Sequence, residues 1–169
     1  MAWFAPLAYK RRITDITKAE LIEWGIKALF LDVDNTLTAH NSQEVPDDVK
    51  KWLTDRKTDG FFLTVVSNAR RSRVAPFAEK LGLAFTSAAA KPLPVGFVRT
   101  ARRLSLACKQ CLVIGDQVFT DIWGANLCRM PSVQLMPMDL ASDNAFVRFK
   151  RHFERPITAH YMKKRGVSL

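Results

Sequence analysis

The chain has 169 residues, 48% of them hydrophobic and 25% charged, which suits one globular domain with its own core and excludes disorder, collagen or a coiled coil. No stretch free of Asp, Glu, Lys and Arg exceeds ten residues, Leu81–Ala90 being one of that length, whereas a membrane helix needs about twenty. Its 26 Lys and Arg against 16 Asp and Glu leave a net charge of +10, a balance that attracts polyanions: nucleic acid, anionic lipid headgroups or a phosphorylated substrate.

Residues 1–24 read as an N-terminal extension. The start, Met1–Pro6, is apolar but lacks the basic beginning, long apolar stretch and cleavage site of a signal peptide, so a cytoplasmic protein is expected. Lys27–Leu31 is a short apolar run, the mark of a strand buried on both faces. Pro46-Asp47-Asp48 opens a helix whose stripe is Val49, Trp52 and Leu53, with Gly60 as its stop. Phe61–Val66 is a second buried strand. A basic helix follows from Arg70 to about Leu81, with Pro76 inside it and Gly82 ending it. Leu83–Phe85 is a weak third strand, and Pro94 to about Leu104 a helix. Cys111–Ile114, Thr120–Cys128 and Ser132–Leu135 then read as strand, helix and strand. Such alternation predicts an α/β, Rossmann-like fold: a parallel sheet of about five strands with helices on both faces. Cys108 and Cys111 spell C-x-x-C, but the pair runs into a strand and has no further zinc ligands at matching spacing. With Cys128 they read as free thiols in a reducing compartment.

Ligands of open parallel sheets bind at the carboxyl ends of the strands. The residues that follow the predicted strands are Asp32-Val33-Asp34-Asn35-Thr36, Ser67-Asn68, Lys91-Pro92, and Gly115-Asp116 with Asp121. Four carboxylates brought together repel one another unless a cation sits among them, and hard oxygen ligands favour Mg²⁺. Lys91 adds a second positive charge, and Ser67 and Asn68 offer hydrogen bonds to an oxyanion. This is a site for a phosphoryl group, at which one carboxylate attacks phosphorus and another moves protons. A lone D-x-D can merely cap a helix; four ordered elements, each after a predicted strand, point beyond that. His40, His152 and His160 are scattered and carry no assignment.

The pattern resembles the phosphatases of the haloacid dehalogenase (HAD) superfamily. Asp32–Leu37 resembles their first motif, Ser67-Asn68 the second, Lys91 before proline the third, and Gly115–Asp121 the fourth, across residues 26–136. Gly25-Ile26-Lys27 and Ala90–Pro94 resemble the YqeG-like, type IIIA branch. The resemblance implies a catalytic domain over residues 25–136, with Asp32 as the nucleophile that forms an aspartyl-phosphate and Asp34 as general acid and base. It implies Ser67 as a phosphoryl ligand and Lys91 as the group steadying the nucleophile. Mg²⁺ would sit on Asp32, the Asp34 carbonyl and Asp116, with Asp121 ligating or supporting.

Eight residues separate Leu37 from Pro46, and one helix and one strand use up the chain from Ala69 to Lys91. Neither stretch can hold a cap domain, so the cleft is expected to be open to a phosphate carried by something large: a lipid, a nucleic-acid end or a protein. Among YqeG-like relatives are phosphatidylglycerophosphate phosphatases, which makes that lipid the leading substrate. The alternative is a phosphatase acting on nucleic-acid ends or a small phosphorylated metabolite, and after it a non-catalytic anion-binding module. Residues 145–169 hold seven basic groups against one acid, Glu154. Within the basic segment 137–169, a helix starting at Ser142-Asp143 places Phe146, Phe149 and Phe153 on one stripe among Arg148, Lys150, Arg151 and Arg155. Such a helix docks on its own domain or lies on an anionic membrane. The expectation taken forward is that it engages an anionic surface and stays out of the chemistry.

Overall fold

A computed structural model describes residues 3–39, 42–140 and 145–167. His40, Ser142, Asp143 and the side chain of Phe146 lie outside the described residues.

The strands are β1 (Ala8–Lys10), β2 (Ala28–Leu31), β3 (Phe62–Val66), β4 (Ala84–Thr86), β5 (Cys111–Gly115) and β6 (Ser132–Leu135). The helices are α1 (Lys18–Glu23), α2 (Asp47–Thr58), α3 (Arg71–Lys80), α4 (Pro94–Arg103), α5 (Trp123–Leu127) and α6 (Ala145–Lys164). All pairings are parallel, and the order β1-β6-β5-β2-β3-β4 puts β2 between β3 and β5. Chain direction across the sheet reverses there, so the cleft opens beyond the carboxyl end of β2. Ala28 is level with both Phe62 and Cys111. The ends of β2, β3 and β5, and the residues that follow them, are therefore brought to one edge.

Successive β2 side chains serve opposite faces, as the pleat requires. Leu29 and Leu31 join a core with Val49, Trp52 and Leu53 of α2 and Val74, Phe77 and Ala78 of α3. Ala28 and Phe30 join another with Phe97 and Ala101 of α4 and Ala125 of α5. Trp52 also donates Nε1–H to the Ile16 carbonyl at 2.9 Å, which ties α2 to the N-terminal segment.

The sheet has six strands, one more than the sequence pattern predicts. The sixth is β1, from the N-terminal extension, which pairs with β6 from Ala8↔Val133 to Lys10↔Leu135. Its three residues include a lysine and form an edge, so no apolar run announces it. The helix predicted over Thr120–Cys128 begins earlier, as a π-helical turn over Val118–Ile122 that passes into α5.

The C-terminal helix α6 docks on the domain, and not through Phe149 or Phe153. Val147, Arg151 and Glu154 are buried at 7%, 6% and 4% exposure, whereas Phe149 and Phe153 are 64% and 50% exposed. No described helix is long and apolar enough to cross a membrane.

Candidate active site

Asp32 follows β2 directly, and its amide donates to the Ile114 carbonyl of β5 at 3.0 Å. Behind it the chain turns sharply: the Val33 carbonyl accepts from the amides of Thr36, Leu37 and Thr38 at 3.3, 3.0 and 3.3 Å. Asn35 occupies the left-handed region at φ 57°, which asparagine tolerates better than most residues. Its Oδ1 accepts from the Asp139 amide at 3.0 Å. This turn keeps Asp32 and Asp34 at the same mouth.

Lys91 reaches the cluster from the segment after β4. Its Nζ donates to Asp32 Oδ1 and to Asp121 Oδ1, both at 2.6 Å. Asn68 braces that segment from both sides: Nδ2 donates to the Lys91 carbonyl at 2.9 Å, and Oδ1 accepts from the Lys91 amide at 2.6 Å. The Asn68 amide, expected to offer hydrogen bonds to an oxyanion, is thus engaged on the lysine's backbone. Ser67 lies next to it, with Oγ accepting from the Ala69 amide at 3.1 Å.

Asp116 and Asp121 come from the end of β5 and the π-helical turn. Asp121 Oδ2 accepts from the Gln117 amide at 3.2 Å, which folds its carboxylate back over β5. Only glycine at 115 permits that approach, because a Cβ there would lie 2.4 Å from Asp121 Cγ. Asp116 is 1% exposed. Its Oδ2 accepts a hydrogen bond from Arg151 Nη2 of α6, while its Oδ1 is buried without a partner among the described residues.

Burial dominates the electrostatics. It pushes the Asp32 carboxyl up to about 7; the Lys91 ammonium opposes that rise, and Asp121 and Asp34 add to it. Burial also lifts Asp116 well above the usual carboxylate range against the Arg151 guanidinium, with Asp32 and Asp121 contributing. For Lys91, burial disfavours the charge, but the Asp121 and Asp32 carboxylates outweigh it and hold the ammonium protonated.

The structure therefore gathers Asp32, Asp116, Asp121 and Lys91 into one cluster, with Asp34, Ser67 and Asn68 in the segments bordering it. Asp34 faces α3, where Arg73 Nη2 donates to its Oδ1 at 2.5 Å. Arg73 was not among the residues picked out from the sequence, and neither were the roles of Arg151, Glu154 and Gly115. Arg151 is a correction, since it is buried against Asp116 and does not belong to a surface-facing basic set. Its neighbour Lys150 donates to Gln117 Oε1 at 2.6 Å. Of the four basic groups singled out on this helix, Arg148 and Arg155 are the exposed ones. His152 and His160 take no part in the cluster. The C-x-x-C thiols are free, and burial pushes Cys111 up to about 12.

One oxygen each from Asp32, Asp116 and Asp121 lies within 4.8 Å of the others. The donor set is hard and anionic, and the orphaned Asp116 Oδ1 lacks the positive partner that a buried carboxylate oxygen requires. These residues fit a divalent cation of the Mg²⁺ kind.

The chain matches the haloacid dehalogenase-like hydrolase family over residues 39–128. It is 33% identical to Probable phosphatase YqeG of Bacillus subtilis (strain 168) over 162 residues, covering 96% of this chain and 94% of that protein. Among solved structures, it superposes with TM-score 0.56 on an uncharacterized protein from Listeria monocytogenes serotype 4b, at 15% identity over 71% of this chain and 87% of that one. It also superposes with TM-score 0.50 on YfnB from Bacillus subtilis bound to magnesium, at 18% identity over 62% of this chain and 49% of that one. The parallel sheet, the acidic cluster at its carboxyl edge and the near full-length relative agree: the chain belongs to the haloacid dehalogenase-like hydrolase family and is one of its phosphatases.

Proposed function

We propose that the chain hydrolyses phosphomonoesters through a covalent aspartyl-phosphate on Asp32. The observation that carries this reading is the Asp32 carboxylate held through Oδ1 by Lys91 at 2.6 Å, with Asp116 and Asp121 beside it. Asp32 Oδ2 attacks phosphorus, and the ester oxygen leaves with a proton from Asp34. Asp34 then takes a proton from water as the water attacks the same phosphorus, releasing inorganic phosphate and regenerating Asp32. Lys91 offsets the charge that passes between nucleophile and phosphoryl group. The Ser67 hydroxyl, whose oxygen already accepts from Ala69, has its proton to give to a phosphoryl oxygen. Asn68 contributes by fixing the Lys91 backbone. Mg²⁺ would be held by Asp32, Asp116 and the Asp34 carbonyl with help from Asp121, and when bound it supplies positive charge to the phosphoryl oxygens.

For the substrate, the reading is a large or membrane-associated phosphomonoester such as phosphatidylglycerophosphate. A cavity of about 230 Å³ supports it: Asp116 and Arg151 border it on one side, and Leu135, Met136, Leu140 and Met162 supply apolar wall. Near this edge Met136, Met138 and Leu140 are exposed, as a peripheral contact with an anionic membrane would use; Arg148 and Arg155 supply the charge.

The test is turnover of an aryl phosphate with and without EDTA, for the parent and Asp32→Asn. Loss of activity in both perturbations is expected, and equal activity of Asp32→Asn and parent refutes the nucleophile. Side-by-side turnover of phosphatidylglycerophosphate, a 3′-phosphorylated oligonucleotide and sugar phosphates tests the substrate. A preference of more than about tenfold for a sugar phosphate, some 1.4 kcal/mol in transition-state binding, overturns the open-cleft reading.

A further inference from the structure

The contacts of α6 fall on the fourth motif. Lys150 binds Gln117 and Arg151 binds Asp116. Glu154 Oε1 accepts from the Phe119 amide at 2.8 Å, at the start of the turn that carries Asp121. One turn further, Thr158 Oγ1 accepts from Gln134 Nε2 of β6 at 3.0 Å. Beyond the helix, Arg165 donates to the Leu7 carbonyl at the start of the β1 edge. The helix therefore runs from the fourth-motif segment across β6, although it is outside residues 39–128, the stretch that matches the family.

Arg151 has a contact of particular consequence. It is 6% exposed and engages Oδ2 of Asp116, while Oδ1 is buried without a partner among the described residues and the carboxylate as a whole belongs to the cluster with Asp32 and Asp121. A carboxylate anchored through one oxygen has lost its rotational freedom, and its free oxygen presents a fixed direction. A guanidinium suits the anchor because it stays charged and makes directional bonds. Glu154, buried beside it and bonded to Phe119, fixes the helix at the height where Arg151 meets Asp116.

We propose that Arg151 is a positioning residue of the active site: the C-terminal helix completes the Mg²⁺ site by anchoring Asp116 Oδ2 so that Oδ1 faces the cation. This rests on the reading of Asp32, Asp116 and Asp121 as a Mg²⁺ site. Groups that orient a metal ligand commonly change metal affinity by about 10- to 100-fold when removed, and Arg151 falls in that class.

The experiment is calorimetric titration of Mg²⁺ into EDTA-stripped, dialysed full-length protein, with the Mg²⁺-dependent rise in Tm as a second readout. Parent, Arg151→Ala, Arg151→Lys and Lys163→Ala are compared. Arg151→Ala is expected to weaken Mg²⁺ binding about 10- to 100-fold, Arg151→Lys to recover part of the loss, and Lys163→Ala, exposed on the same helix, to keep the parental affinity. Should Arg151→Ala fail to fold, Arg151→Met, which keeps the alkyl stem, is judged by the same criterion. Parental affinity in the Arg151 variants overturns the proposal. So does tighter binding, which would mean that the guanidinium competes with the cation. A parent that binds no Mg²⁺ overturns the metal reading itself, and the positioning role with it.

Discussion

Replacing Gly115 by alanine perturbs the site without replacing a charged group. The added Cβ would lie 2.4 Å from both Cγ and Oδ2 of Asp121 and 2.7 Å from its Cβ. Ordinary contact begins at 3.4 Å, so the carboxylate must retreat by about 1 Å (3.4 − 2.4). Side-chain rotation alone cannot provide this, because the Asp121 Cβ is itself too close and the turn Val118–Ile122 must shift with it. The 2.6 Å bond between Asp121 and Lys91 then breaks, and Lys91 loses the carboxylate that holds it beside Asp32. Overpacking of this kind costs about 1–3 kcal/mol, which for a chain of this size lowers Tm by roughly 2–12 °C. A misplacement of about 1 Å costs on the order of 100-fold in rate. The assay is kcat/KM on an aryl phosphate alongside thermal unfolding, with Gly82→Ala as the comparison. That glycine sits at φ 58° with no neighbour closer than Lys57 Nζ at 3.5 Å, so its substitution strains the backbone far from the cluster. Gly82→Ala should lower Tm and spare turnover, whereas Gly115→Ala should lower both. Gly115→Ala with parental turnover would refute the reasoning.

Two further outcomes follow from burial. The folded Asp32 value of about 7 lies above that of an unfolded aspartate, about 3.9, so the native state binds more protons between the two. This contribution to stability is complete below about pH 4 and is lost as pH rises through 7. EDTA-treated parent should therefore lose more Tm across that window than Asp32→Asn, which cannot titrate there, and equal losses would contradict the assignment. Burial also pushes Cys111 and Cys128 up to about 12 and about 11, so a disulfide reagent near pH 8 should label Cys108 alone in the native protein. Fast labelling of all three would place the buried pair at the surface.

The edge that carries the candidate site was legible because its residues are tied to strand ends. Asp32, Ser67, Lys91 and Asp116 each follow an apolar run or a turn that a parallel sheet brings to one side, so chain order alone places them together. Arg73 was illegible because its partner Asp34 is 39 positions away and nothing in a basic helix marks one arginine as facing a carboxylate. Arg151 was obscured by the neighbouring phenylalanines, which suggest an apolar inner stripe. The buried face runs Val147, Arg151 and Glu154 instead, and polar pairs hold it. Gly115 was visible as a motif letter, but its purpose depends on the Asp121 side chain folding back, which spacing does not reveal. The β1 strand depends on β6 for its existence, and three residues carry no periodicity.

The central claim is that Asp32 becomes phosphorylated, and trapping that intermediate tests it most directly. Asp34→Asn removes the group that would activate water for the second step, so this variant given an aryl phosphate, whose phenolate leaves without a proton from Asp34, and quenched in acid should keep a phosphoryl group on the enzyme. Peptide mass spectrometry should place it on Asp32, labile to hydroxylamine as an acyl phosphate is, and Asp34→Asn combined with Asp32→Asn should carry none. A phosphoryl group on another residue, or substrate turnover with no phosphoenzyme in the trapped variant, would contradict the account.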